Sequence, residues 1–316
     1  MTVSRDAVRW GYQLVLGREP ESEQAIAGHL TAHDNRELHH RLISSAEYCS
    51  GAARAKRIGD YMNVETFDVE TDCAADDLSA MLEGVAQSWR QYGETEPHWS
   101  VLTSEEYRPD AIDDNLEAFY KSGDYNLDRL RGFLLRNGAE LDRLKGALDF
   151  GCGVGRVTLA LATQFEHVKG VDISPAHIRH AQGRAVATGV SNVSFTPIAS
   201  LADLDGVGRF DVVYSGIVLQ HNPPPVIAAL LRKLMAAVLP GGYLLFQVPT
   251  FKLGYNFSAA EYLAGNRVRM EMNAIPQRAI FAVGSEAGVI PLEVREDMDT
   301  SDVHTISQTF LFHRPL

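Results

Sequence analysis

Cysteine is scarce in this chain: Cys49, Cys73 and Cys152 are the only three in 316 residues. They are odd in number, widely spaced and without a Cys-x-x-Cys pair. Neither a disulfide framework nor a zinc site is expected, and a reducing compartment, the cytoplasm, fits best. Long apolar runs are missing too. No stretch approaches the roughly 18 uninterrupted apolar residues of a membrane span. Asp6, Arg9, Arg18 and Glu19 break up any signal-peptide core at the start. Positive charge is also short, with 29 Lys and Arg against 41 Asp and Glu, a formal net charge of −12 and a pI near 5.4. Such a chain lacks the clustered cations that neutralise phosphates, which argues against a nucleic-acid partner. The short basic run at 54–57 does not change that balance. What is present, 45% hydrophobic and 22% charged residues, is ordinary for a globular protein with a full core.

Three regions differ in pattern. Residues 1–57 read as a small all-helical accessory domain. Val8, Tyr12, Val15 and Leu16 fall at helical spacing, as do Leu38, Leu42 and Ile43. Gly17-Arg18-Glu19-Pro20 should end the first helix, and Ser44 or Ser45 should cap a new one. Residues 58–77 read as a linker. Residues 78–146 form a helical entry segment, with helices expected over Ser79–Tyr92, Ile112–Lys121 and Leu127–Asn137. From Ala147 the pattern alternates. Apolar runs at Ala147–Phe150, Val168–Val171, Val193–Thr196, Phe210–Ser215 and Tyr243–Val248 are separated mostly by helical stretches (Arg156–Phe165, Pro175–Thr188 and Pro225–Val238). That alternation predicts an α/β fold, a Rossmann-like parallel sheet covered on both faces. Ile290–Arg295 and Thr305–Phe312, with only a short polar link, predict a terminal antiparallel hairpin.

Leu148-Asp-Phe-Gly-Cys-Gly-Val-Gly-Arg156 places Gly151, Gly153 and Gly155 between a strand and a helix. Glycines there allow a tight turn and the close approach of a ligand, and the helix start offers free N–H donors to an anionic group. In the dinucleotide fingerprint G-x-G-x-x-G the third glycine would fall at position 156. Arg156 stands there instead, and Asp149 just upstream would repel a pyrophosphate. The same Asp149 suits a ligand carrying an ammonium group. Asp172 closes the second apolar run, where an acid can accept from both hydroxyls of a ribose and exclude a 2′-phosphate.

These segments, with Gly170-Val-Asp-Ile-Ser-Pro175 and Phe210-Asp-Val-Val-Tyr-Ser215, resemble the class I S-adenosylmethionine-dependent methyltransferases over about residues 100–316. The resemblance implies S-adenosyl-L-methionine as cofactor and S-adenosyl-L-homocysteine as product. It implies that Asp149, Gly151, Gly153 and Arg156 hold the methionine part, Asp172 the ribose and Ile173 one face of adenine, with Ser215 and Gly216 also at the site. Many relatives have an Asp after the third strand for the adenine amino group. Here Ala199 occupies that position, so backbone groups of Ser200 and Leu201 are the expected substitutes, with Asp203 less well placed.

Leu219-Gln-His-Asn-Pro-Pro-Pro225 follows the fourth strand, where open α/β sheets bind ligands. Asn222 is expected to cap the next helix. His221 is the candidate general base, titrating near neutral pH, or else a residue that packs under the loop. Trp99, Phe119, Tyr120 and Tyr255 are the candidate lid or acceptor-pocket residues, and Thr250–Asn273 a further wall. No metal site is expected. Tyr12–Pro20 and Ser45–Tyr48 resemble a phycobilisome-linker-like helical domain, which implies docking or dimerisation through residues 1–57. The function expected is methyl transfer to a small-molecule or glycan acceptor, most simply a hydroxyl. A nicotinamide-dependent oxidoreductase and a non-catalytic binding protein on the same fold are the rivals.

Overall fold

A computed structural model of the protein describes residues 3–49, 68–265, 270–297, 299–300 and 305–316. It divides into two compact units, one within 1–66 and one within 67–316. The basic run at 54–57 and the first half of the expected linker, 58–67, lie outside the described residues. The last residues of that linker do not: Ala75, Asp76 and Asp77 open a helix, and the two acids in its first turn suit the positive end of the helix dipole.

The first unit contains α1 (Arg5–Gly11), α2 (Glu23–His29), α3 (Asn35–Ile43) and α4 (Ala46–Cys49). Ser4, Ser22 and Asp34 cap the first three through their side chains. A wide helical turn, Tyr12–Leu16, continues α1 until Gly17 stops it at φ +69°. Val8, Tyr12, Leu16, Ile26, Leu38 and Leu42 form the core. Arg18 lies with its guanidinium 5.1 Å from the Tyr12 ring centre, donates from Nε to Glu47 on α4 at 2.7 Å, and reaches Glu21 at 2.8 Å. The two segments Tyr12–Pro20 and Ser45–Tyr48 are thus joined by an ion pair. Half-exposed, it contributes less to stability than to seating α4.

The second unit is built on a seven-stranded sheet, ordered β3-β2-β1-β4-β5-β7-β6. The strands are β1 (Gly146–Phe150), β2 (His167–Asp172), β3 (Val193–Pro197), β4 (Phe210–Ser215), β5 (Val238–Lys252), β6 (Ile290–Asp297) and β7 (Thr305–His313). The first five are parallel, and β7 runs antiparallel between β5 and β6. Before the sheet come α5 (Ala75–Thr95), α6 (Ile112–Lys121) and α7 (Gly123–Arg136). Within it follow α8 (Arg156–Leu161), α9 (Pro175–Thr188), α10 (Pro224–Ala236), α11 (Ala259–Ala264) and α12 (Gln277–Glu286). No helix among the described residues is long and apolar enough to cross a membrane.

Side chains alternate across each strand, so the sheet has two cores. Leu148, Phe150, Val213, Leu244 and Phe246 face α10 and α12, whereas Ala147, Val212, Tyr214 and Leu245 face α7 and α8. β1 is buried along its whole length, as a central parallel strand should be. Several expected boundaries move. α7 begins four residues before Leu127, because Gly123 packs directly on α8. A Cβ at Gly123 would lie 2.4 Å from the Arg156 carbonyl oxygen. α8 stops at Leu161. β5 starts at Val238 and runs through Gly241 and Gly242, with a register shift against β4 absorbing the irregularity.

On the outer strands, Phe246, Phe310 and Phe312 are all fully buried, the first two stacked with centres 5.1 Å apart. Phe310→Ala should therefore lower the stability of the second unit by about 3–5 kcal/mol, the range for truncating a buried phenylalanine. Urea denaturation checks this, and a loss below about 1 kcal/mol would show that the antiparallel strands do not depend on this stack.

Candidate functional site

The strand order reverses between β1 and β4, and in an open α/β sheet the crevice beyond the carboxyl ends at that point receives ligands. A cleft is found there. It is lined by residues of the glycine loop, Asp172 and Ile173 after β2, Ser200 and Leu201 after β3, the 216–222 segment after β4, and α5. Gly151 and Gly153 both sit at positive φ, +73° and +53°. A Cβ on either would lie 2.3 Å from a methyl of Val218 and 2.6 Å from a methyl of Val101, respectively. Glycine is required at both by backbone and by space.

Three charged side chains are buried around this loop. Asp149 accepts from Thr158 Oγ1 at 2.6 Å, and burial pushes its carboxyl up to about 6. Arg156 donates from Nη1 to Asn126 Oδ1 at 2.8 Å and to Ser122 Oγ at 3.2 Å, yet its buried Nε has no partner among the described residues. Burial draws its pKa down. α8 has only six residues, and Arg156 is the one Lys or Arg side chain on the cleft lining among the described residues. Asp172 accepts from Gly153 N–H at 2.9 Å on Oδ2 and from Ser174 N–H at 2.8 Å on Oδ1.

After β3 the arrangement differs from the expectation in one respect. Asp203 turns its carboxylate onto the N–H groups of Ala199 and Ser200, at 2.7 and 2.9 Å. The Ser200 amide is therefore committed, and Asp203 faces the loop rather than a ligand. Ile173, Ile198, Leu201 and Leu204 form an apolar slot there.

After β4, Ile217 adopts φ +59°, an uncommon conformation for a β-branched residue. Gln247 on β5 accepts the Ile217 N–H at 3.0 Å and donates to Gln220 Oε1 and Ser307 Oγ at 2.9 and 2.6 Å. Strain of this kind needs such support from its surroundings. His221 is held next to it, with Nδ1 2.8 Å from the Glu271 carbonyl oxygen and its ring 5.0 Å from that of Trp89. A carbonyl can only accept, so Nδ1 carries the hydrogen and Nε2 the lone pair. Nε2 has a hydrogen-bond contact with Gln220 Nε2 at 3.4 Å, long for such a bond. Burial lowers the His221 pKa to about 4, well away from the near-neutral titration expected. Asn222 does not cap α10. Its side chain bonds back to the Val218 and Leu219 carbonyls, and Pro223 precedes the helix.

Of the residues named from sequence, the cleft brings together Asp149, Gly151, Gly153, Arg156, Asp172, Ile173, Ser200, Leu201, Gly216 and His221. Ser215 is buried at the end of β4 with its hydroxyl unpartnered, outside the cleft lining. The four lid candidates are not on the lining either. Phe119 and Tyr120 pack with Ile112 and Val154, and the Tyr120 hydroxyl donates to the Val154 carbonyl. Trp99 lies beneath the Arg108 guanidinium, and Tyr255 donates to Asn273. Helix α5 supplies that wall instead, through Leu82, Val85 and Trp89, followed by Ser100 and Val101. The first three recur at helical spacing, a pattern that marks a buried face without saying what covers it. His177 on α9 also lines the cleft and carried no sequence signal beyond helix periodicity.

Fold and cleft define an open α/β protein with a cleft, lined by acidic, cationic and apolar side chains, where the strand order reverses. Comparison makes the class specific. A family described as "Methyltransferase domain" matches residues 147–242. A ubiquinone biosynthesis O-methyltransferase of Burkholderia ambifaria is 34% identical over 177 residues, covering 54% of this chain and 70% of the relative. Its counterpart in Paraburkholderia xenovorans is 34% identical over 124 residues, 38% of this chain and 52% of that one. A chloroplastic tocopherol O-methyltransferase of Arabidopsis thaliana is 25% identical over 184 residues, 55% of this chain and 51% of that one. The chain spans about half the length of several curated relatives it matches. The solved magnesium protoporphyrin IX methyltransferase of Synechocystis PCC 6803, with bound SAH, shares the fold. Its TM-score is 0.51 at 20% identity, covering 72% of this chain and 99% of that one. The chain belongs to the class I S-adenosylmethionine-dependent methyltransferases.

Asp172→Ala should weaken binding of S-adenosylhomocysteine while the sheet stays folded. Each charge-assisted hydrogen bond lost to the ligand is worth about 1.5–3 kcal/mol. Calorimetry on the folded variant checks this, and unchanged affinity would remove Asp172 from the site.

Proposed function

We infer that this protein transfers a methyl group from S-adenosyl-L-methionine to a hydroxyl of a small-molecule or carbohydrate acceptor, in the cytoplasm. The observation that carries the reading is a pair of buried charged groups on either side of the glycine loop, Arg156 with an unpartnered Nε and Asp149 with its ionised form opposed by burial. An ammonium beside Asp149 and a carboxylate beside the orphan Arg156 Nε would answer both, and an amino-acid moiety supplies that pair of groups. Asp172 retains carboxylate lone pairs for ribose hydroxyls, Ile173 and Leu201 offer apolar faces to a base, and Gly153 leaves room beside the backbone. The residues therefore fit the cofactor. When bound, it supplies an electrophilic methyl group.

The protein's own contribution is mainly positioning, which can account for a large part of the acceleration in a two-reactant transfer. Trp89, Val85 and Leu82 exclude water from the approach to His221. The Glu271 carbonyl fixes the His221 tautomer, leaving Nε2 as the acceptor for a hydroxyl proton. An oxygen acceptor is favoured because a hydroxyl needs such a base, and because the similar proteins from Burkholderia ambifaria and Arabidopsis thaliana are O-methyltransferases by name. The free thiols Cys73 and Cys152 accord with a reducing compartment. The small helical unit, phycobilisome-linker-like in its two motifs, is proposed as a docking or dimerisation module, supported by its own core and its Arg18–Glu47 link.

Two measurements test this. His221→Ala should lower kcat by about 10²–10⁴-fold with cofactor affinity little changed. With the His221 pKa near 4, the imidazole is already in its basic form from pH 5 to 8. The wild-type profile should therefore show no imidazole limb in that range. A folded His221→Ala enzyme with full turnover ends the general-base role.

Affinity for S-adenosylhomocysteine should also depend on pH through Asp149. Its folded pKa is raised to about 6, so the ionised form that pairs with an ammonium is complete above that value and is lost as pH falls through it. Binding should weaken below about pH 6 in the wild type, while Asp149→Asn binds weakly at every pH. An acid-side loss that persists in Asp149→Asn would assign it to another group.

A further inference from the structure

Ser100, His177 and Asp172 form a buried chain that the methyltransferase reading does not use. Ser100 Oγ lies 3.0 Å from His177 Nε2 and 3.2 Å from the Pro97 carbonyl. On the far side of the ring, His177 Nδ1 stands 3.5 Å from Asp172 Oδ1 and has no hydrogen-bond partner of its own. His177 is 1% exposed, and all three residues line the cleft.

The surroundings give this chain a direction. Asp172 holds two backbone groups, Gly153 N–H on the glycine loop and Ser174 N–H at the start of α9. The entry segment rests on both sides of that bridge. Val101 fills the space beside Gly153, and the next residue back, Ser100, reaches His177 one turn into α9. Upstream, α5 presses on the same place: a Cβ at Gly93 would lie 2.1 Å from Ser174 Oγ, the hydroxyl that caps α9 by accepting from His177 N–H. Within the turn, Ser100 N–H bonds to the Glu96 carbonyl and Val101 and Leu102 N–H to the His98 carbonyl, while the His98 and Trp99 rings pack on Phe119 and Tyr92; the Ser100–His177 contact adds a fastening on the cleft side.

We propose that His177 is a positioning residue that latches the entry segment 96–102 onto the Asp172 bridge, so that closure over the cleft and the setting of the ribose-binding carboxylate are one event. The cofactor side of this inference rests on the S-adenosylmethionine reading, whereas the latch itself concerns the protein alone.

The two ring nitrogens can be separated by substitution. His177→Gln places an amide near the Nε2 position and keeps the Ser100 link. His177→Asn places one near Nδ1 and loses it. Amide hydrogen exchange on the cofactor-free protein is the first readout. His177→Asn and Ser100→Ala should each raise exchange at Ser100 and Leu102 by about five- to tenfold, the scale of one buried hydrogen bond. His177→Gln should restore protection, and the double variant Ser100→Ala/His177→Asn should be no worse than either single one. Unchanged exchange in both single variants, in proteins with wild-type unfolding curves, overturns the latch.

The second readout is S-adenosylhomocysteine affinity, expected to fall by a similar factor in the two link-breaking variants and to recover in His177→Gln. If the variants show the exchange effect but the wild-type protein does not bind S-adenosylhomocysteine, the cofactor reading is refuted and the latch stands. Normal binding in variants whose entry segment has opened refutes the coupling.

Discussion

The carboxylate of Asp172 is the interaction on which the site depends. It closes β2, and its two oxygens take the N–H groups of Gly153 and Ser174, tying the turn after β1 to the turn after β2. Neither turn can hold these donors by itself: Gly153 is in a left-handed conformation with no ladder partner, and Ser174 lies just outside a helix. An ionised acceptor bonds both more strongly than a neutral group would. Because each carboxylate oxygen has more than one lone pair, the bridge still leaves acceptor capacity toward the cleft. The same atoms that set the loop's shape can thus receive a ligand without being rearranged.

Much of this was legible in the sequence because the fold is built from strong local signals. Four of the five parallel strands were located within about two residues, since continuous apolar runs bounded by glycine, proline or charge leave little freedom. α9 matches because Ser174, Pro175 and Gly189 are a cap, a first-turn proline and a left-handed stop. The fifth strand was too short in the sequence reading, because Pro240 and Gly241–Gly242 look like a turn. Tertiary pairing overrides that preference on the far side of the bulge. Asn222 misled in the opposite sense. Its residue type suits a cap, but the preceding turn offered carbonyls that its amide reaches first.

Cleft-lining residues on the glycine loop and after the strands were visible for a related reason: they occupy chain positions that the fold defines. Those on α5 were not. Leu82, Val85 and Trp89 look like any apolar helix face, and only the packing of α5 over the cleft tells them from Phe119 and Tyr120, which have the stronger aromatic signal but turn into their own small core. Aromatic residues close in sequence to a site are a poor guide where a helix pair can bury them against each other. His221 lies on the cleft after β4, but burial beside Trp89 lowers its pKa to about 4 against the opposing pull of the Glu271 carbonyl, and no sequence pattern records that burial.

The contrast between two arginines shows why the incomplete pairing at the cleft has functional meaning. Arg129 is largely buried beside the end of β6 and against β7. It is answered in full by Asp299 at 2.6 Å, Asp297 at 3.2 Å and the Thr309 hydroxyl. This chain therefore supplies acids to a buried guanidinium where the structure alone requires them. Arg156 is buried more deeply, and it receives one amide oxygen and one hydroxyl while Nε is left without a partner. Asp149, a short distance away, is kept in a setting that opposes its ionisation. Leaving a buried cation underpaired costs several kcal/mol by general estimates. Both groups line the same cleft and are opposite in sign, which is the arrangement the proposed zwitterionic ligand end would answer.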